Sequence, residues 1–216
     1  MHNERRKLIA ALAASPLMLP AWLREAAAAG TLDQGIRGYR GQVTVNGEPA
    51  RFRMPVGPGD TVRTGPGAEA VFVSGNNAFL LRGNSHMAFG STSAATYLRV
   101  ITGALLSVFG RGPKRLETPI ATIGIRGTGC YIEAQRRETY FCLCYGEADL
   151  QTHSDTPETM HIASRHHDMP LVVRGGGVET PMELSSVRNH TDAELTLVEA
   201  LVGRKPPFQA GSDYRY

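Results

Sequence analysis

From Gly35 onward the chain is broken roughly every ten residues by glycine, proline or asparagine, in VNGEP, PVGPGD, RTGPGA, SGNNA, RGNS and FGRGPK. Between the breaks lie short runs rich in Val, Leu, Phe and Tyr: QVTV (42–45), EAVFVS (69–74), AFLLR (78–82), YLRVITGALLSVF (97–109), CYIEA (130–134) and TYFCLCY (139–145). Short apolar runs at that spacing, with turn chemistry between them, argue against alternating helix and strand. They predict an all-β fold: an antiparallel β-sandwich or roll, or a solenoid-like winding of the same strands. Asn46-Gly47 marks a two-residue hairpin, because both central positions of a type I′ turn need positive φ.

The last forty or so residues change character. RGGGVETP (174–181) reads as a connection, and TDAELTLVEALVG (191–203) reads as one amphipathic helix. Thr191 and Glu194 stand three apart as a capping box. Leu197, Val198, Leu201 and Val202 share a face, and Gly203, Pro206 and Pro207 end the helix. That face is expected to dock on the β-body.

The chain has 216 residues, 7 Phe, 7 Tyr and 1 Trp, enough for one domain with a real core. Residues 1–29 read as a removable export signal. A charged start ending at Lys7 leads into an apolar stretch broken by Pro16 and Pro20, then into the small residues AAAAG. Arg5-Arg6 followed by KLIA is similar to the twin-arginine export motif, with Glu4 where Ser or Thr is usual. The expected organisation is signal 1–29, β domain 30–175 and C-terminal extension 176–216, the mature protein being periplasmic with no stable membrane insertion. Formal net charge is +3. The signal holds four Lys/Arg against two acids, so the mature chain is nearly neutral and nucleic acid is not an expected partner.

Three segments carry a family resemblance: PVGPGDTVRTGPGAEAVFVSGNNAFLLRGNS (55–85), LRVITGALLSVF (98–109), and TPIATIGIRGTGCYIEA with YGEADL (118–134, 145–150). The opening Gly59-Asp60-Thr61-Val62-Arg63-Thr64 and the signature Thr118-Pro119-Ile120-Ala121-Thr122-Ile123-Gly124-Ile125-Arg126-Gly127-Thr128 resemble the FecR domain over residues 40–150. The resemblance implies a β domain of FecR type, a regulatory or binding role with a protein partner, in envelope signalling or metal handling, and no catalytic residues. The chain is similar to stand-alone members, since it shows neither an anti-sigma segment nor a membrane helix before the domain. Arg126 is expected to anchor an internal carboxylate such as Asp60.

No G-x-S-x-G, H-E-x-x-H or recognisable carboxylate pair is present, and a Cys144–His166 nucleophile–base pair has no motif context. An enzyme is not expected. The three cysteines say more. In an extended run Cys142 and Cys144 share a face, with Cα atoms about 6.6–7 Å apart, at the limit for a disulfide. Across the hairpin that turns near 135–138, Cys130 falls opposite Leu143 and faces away from both, unless a one-residue bulge reverses it. An odd number of thiols in an oxidising compartment should be buried or occupied. His153, His161, His166, His167 and Met169 follow within some ten to twenty-five residues. Cys142, Cys144, His166 and His167, with Cys130 as a further participant, form a candidate set for zinc, copper or iron. Core thiols without a metal, and a structural disulfide, are the other readings.

Overall fold

The computed structural model describes residues 19–28, 33–91, 96–176 and 181–208. Most of residues 1–29, the predicted signal, lie outside that range. The elements in chain order are α1 (Ala21–Ala28), β1 (Gly35–Arg40), β2 (Val43–Val45), β3 (Glu48–Pro49), β4 (Thr61–Thr64) and β5 (Glu69–Ser74). Then come β6 (Asn77–Leu81), β7 (His86–Ser91), β8 (Thr96–Val108), β9 (Pro113–Glu117), β10 (Ala121–Arg126) and β11 (Gly129–Ala134). The chain continues through β12 (Glu138–Thr152), β13 (Thr159–Ser164), β14 (Leu171–Arg174), β15 (Met182–Leu184) and α2 (Asp192–Leu201). The predicted runs become β2, β5, β6, β8, β11 and β12, and Asn46-Gly47 turns between β2 and β3.

The strands form two layers of a sandwich-like roll. One layer runs β1-β5-β6-β8-β11-β12-β14-β15 and the other β3-β2-β4-β7-β8-β9-β10-β12-β13. Two long strands belong to both. Residues 96–102 of β8 pair in the second layer and 103–108 in the first. Residues 138–145 of β12 pair in the first layer and 146–152 in the second. Each strand crosses at a glycine with positive φ, Gly103 at +90° and Gly146 at +99°, a region that L side chains adopt only under strain. The crossing also brings β9 alongside the first half of β8 in parallel, where the other strand pairs among the described residues are antiparallel.

Between the layers lies the main core, in which Phe72, Phe79, Phe89 and Phe109 pack ring against ring. A second cluster covers the outer face of the first layer. There Val71, Leu80, Leu106, Tyr131, Tyr140, Cys142, Cys144 and Tyr145 meet Leu195, Leu197, Val198 and Leu201 of α2 and Leu23 of α1. As a result residues 139–145 of β12 are buried on both faces, whereas beyond Gly146 burial alternates.

The tail helix starts as expected. Thr191 accepts from Glu194 N and donates its own backbone N–H to the Glu194 carboxylate, closing the capping box. The expected Arg126–Asp60 pair does not form. Arg126 lies exposed at the end of β10, and Asp60 instead accepts from Gly57 N inside its own turn and from Asn46 Nδ2 of the β2–β3 turn. Among the described residues no helix is long and apolar enough to cross a membrane.

Candidate metal centre

Strand alternation puts Tyr140, Cys142 and Cys144 on one face of β12, the face that α2 covers. No disulfide joins the three cysteines. Cys130 pairs with Leu143, the register of a symmetric hairpin, so it points into the main core and not toward the other two. Its Sγ lies 3.3 Å from Ser107 Oγ, and burial pushes its thiol up to about 12. Cys130 is therefore no part of a ligand set with Cys142 and Cys144.

Two further segments meet those thiols. Between β13 and β14 the chain curls tightly: Asp168 accepts from Arg165 N, Ser164 Oγ accepts from Asp168 N, and His167 adopts φ +55°. The His167 N–H donates to Cys144 O at 3.0 Å, which swings the imidazole over the thiols. Between β15 and α2, Tyr140 Oη donates to Ser186 O and the Arg188 guanidinium lies 4.3 Å above the Tyr140 ring. Asn189 donates to Glu133, and His190 stacks on Tyr131 at 4.5 Å with the planes 16° apart. His190 is thereby aimed at the same point as His167.

Cys142 Sγ, Cys144 Sγ and one nitrogen each of His167 and His190 all lie within 4.8 Å of one another, and all four residues are buried. His167 Nδ1 is 3.3 Å from Cys142 Sγ and 3.1 Å from His190 Nε2. Four such donors around tetrahedral zinc would sit about 3.3–3.8 Å apart, given metal bonds of about 2.0–2.3 Å. The outward nitrogens are equally well placed. His190 Nδ1 lies 2.7 Å from Arg188 O, which can only accept, so a neutral His190 carries its proton there and turns the Nε2 lone pair inward. His167 Nε2 lies 3.1 Å from Asp192 Oδ1. A carbonyl behind one imidazole and a carboxylate behind the other are the arrangement that orients histidine on a metal.

The electrostatics suit soft ligation. A hydrogen bond from the Cys144 thiol, stronger than the opposing effect of burial and joined by His167 and His190, pulls Cys142 down to about 3. Burial, reinforced by the neighbouring Cys142, pushes Cys144 well up. Burial disfavours charge on His167, yet its bonds to Asp192 and Cys142 raise it to about 9. Cys142, His167 and Asp192 also stand in the order of nucleophile, base and orienting acid. That Sγ, however, is wholly buried beneath the helix, and a nucleophile would leave the convergence of Cys144 and His190 unexplained.

His166, the other predicted ligand, does not join the thiols and instead groups with His167 and Asp192, whose donor atoms likewise lie within 4.8 Å of one another. Its Nε2 is 2.9 Å from both Asp192 oxygens and its ring stacks on Phe208 at 3.9 Å. His153 bonds Thr122, and His161 bonds Asp149, both in the second layer. His190 and Asp192 escaped the sequence reading. Their one signal is position, immediately beside Thr191, at the start of a helix that has to dock on the thiol face.

No protein-family model and no curated protein matches the chain. Among solved structures, two crystal structures described as a "putative anti-sigma factor" from Parabacteroides distasonis are similar at 12% identity and a TM-score of 0.48. The similarity covers 58% of this chain and 58% of that one.

Proposed function

We propose that this chain is a non-catalytic, exported binding module of FecR type in which Cys142, Cys144, His167 and His190 hold one structural metal ion of the zinc class. The observation that carries the reading is the convergence of two thiols and two imidazoles whose outer nitrogens are already engaged. Four protein donors fill a tetrahedral shell and leave no open position for substrate, which marks a structural centre and not a catalytic one. The regulatory role and the protein partner rest on the signature Thr118–Thr128, and the periplasmic destination on residues 1–29. Export through the twin-arginine route would carry the domain already folded, with its metal loaded and its thiols protected before they meet an oxidising compartment.

The test is elemental analysis of the protein recovered from the periplasm, with a thiol count on the same sample. The expected result is about one equivalent of metal, with Cys142 and Cys144 unreactive until a chelator is added. Absence of metal, with all three thiols reacting only on unfolding, would return Cys142 and Cys144 to the role of core side chains.

A further inference from the structure

The ligands come from three separate parts of the chain. Cys142 and Cys144 belong to the rigid centre of β12, His167 to the loop before β14, and His190 to the segment that leads into α2. Asp192, which backs His167, is the first residue of α2 itself. A metal at this point would therefore tie the start of the C-terminal helix to the sheet it covers.

Polar contacts also hold that end of the helix: Arg82 reaches Glu194 and Asn189 O, Asn189 donates to Glu133, and His166 bonds Asp192, and the metal would add to them. A helix of 10 residues is marginal on its own, so α2 depends on its seat. The seat is the apolar cluster with Leu195, Leu197, Val198 and Leu201, and the ion pairs Arg82–Glu194 and Arg204–Glu199. Tyr145 also donates to Glu199. Beneath α2 lie the two sulfurs themselves, so the metal and the helix protect each other.

Building on the metal reading above, we propose that the metal is a latch: its occupancy sets how tightly α2 is seated, and its removal loosens the helix and uncovers the thiol face of β12. Opening of α2 withdraws His190 from the shell and leaves at most three ligands. The closed form consequently binds metal more tightly than the open form, and by linkage metal favours the closed form.

The experiment is amide hydrogen exchange on the full chain, zinc-loaded and after chelation, with cysteine reactivity followed on the same samples. Chelation should speed exchange in residues 192–203 by about tenfold or more, given that a ligand at 100 times its Kd shifts such an equilibrium by about 100-fold. Exchange in β10, in the other layer, should change far less, and Cys142 and Cys144 should become reactive in step with the helix. His190→Gln removes the ligand that precedes α2, along with its stacking on Tyr131 and its bond to Arg188 O, while Asp192 still backs His167, so its zinc-loaded form is read against its own chelated form. It should exchange fast over 192–203 even with zinc bound at the remaining ligands. Uptake of one zinc with identical exchange in 192–203 before and after chelation would overturn the latch and leave the metal centre standing. Failure to take up zinc at all would overturn both.

Discussion

Asp192→Asn tests the centre without touching a ligand. The Asp192 carboxylate is nearly buried and stands 3.1 Å from His167 Nε2, with His166 Nε2 at 2.9 Å from both of its oxygens. Asparagine keeps the shape and one acceptor oxygen but removes the negative charge behind the imidazole, lowering its basicity toward a metal. Loss of such a backing carboxylate costs about 10–100-fold in metal affinity, or about 1.4–2.7 kcal/mol. Asp192 also sits in the first turn of α2, where its charge favours the helix by about 0.3–1 kcal/mol. Glu194 and the capping box remain, so the metal-free variant should stay folded with only slightly lowered stability. Competition against a chromophoric chelator gives the affinity, and thermal melts of the metal-free forms give the fold. A folded Asp192→Asn protein that binds zinc as tightly as the parent would refute the assignment of His167 as a ligand held by Asp192.

Cys142→Ser should abolish stoichiometric metal and melt close to the chelated parent, both lying below the zinc-loaded parent by the binding contribution, about 2.7 kcal/mol at 100 times Kd. Gly103→Ala would drive a Cβ into the Ser85 backbone and side chain at φ +90° and should cost roughly 2–5 kcal/mol in denaturant melts, with no effect on metal stoichiometry in the fraction that folds. His86 has a pKa held below its ordinary 6.5 by burial and then by Arg63. Below pH 6.5 the unfolded chain takes up the proton first, so stability should fall as pH drops from about 6.5 through the folded value, and His86→Gln should lose that component of the slope. Replacing Arg5 and Arg6 together by lysine should leave the chain in the cytoplasm if export is of the twin-arginine kind, as cell fractionation would show.

Local chemistry explains why the strands, the Asn46-Gly47 turn and the Thr191–Glu194 cap were legible in the sequence. Each is decided by residues within a few positions of one another. The common face of Cys142 and Cys144 and the opposite direction of Cys130 follow from the period of a strand, once the hairpin register is symmetric. Which imidazoles reach the sulfurs depends on longer-range geometry. His166 and His167 are adjacent, and only the positive φ at His167 and its bond to Cys144 O decide between them. His190 arrives with a helix that packs through Leu195 and Leu201, far along the chain from β12. The parallel β8–β9 pair is likewise invisible locally, since it depends on β8 crossing between layers at Gly103.

X-ray absorption at the metal edge of the periplasmic protein tests the centre most directly. The expected spectrum is a four-donor shell of two sulfurs at about 2.3 Å and two imidazole nitrogens at about 2.0–2.1 Å. A sample without metal, or a metal surrounded by oxygen and nitrogen alone, would contradict it.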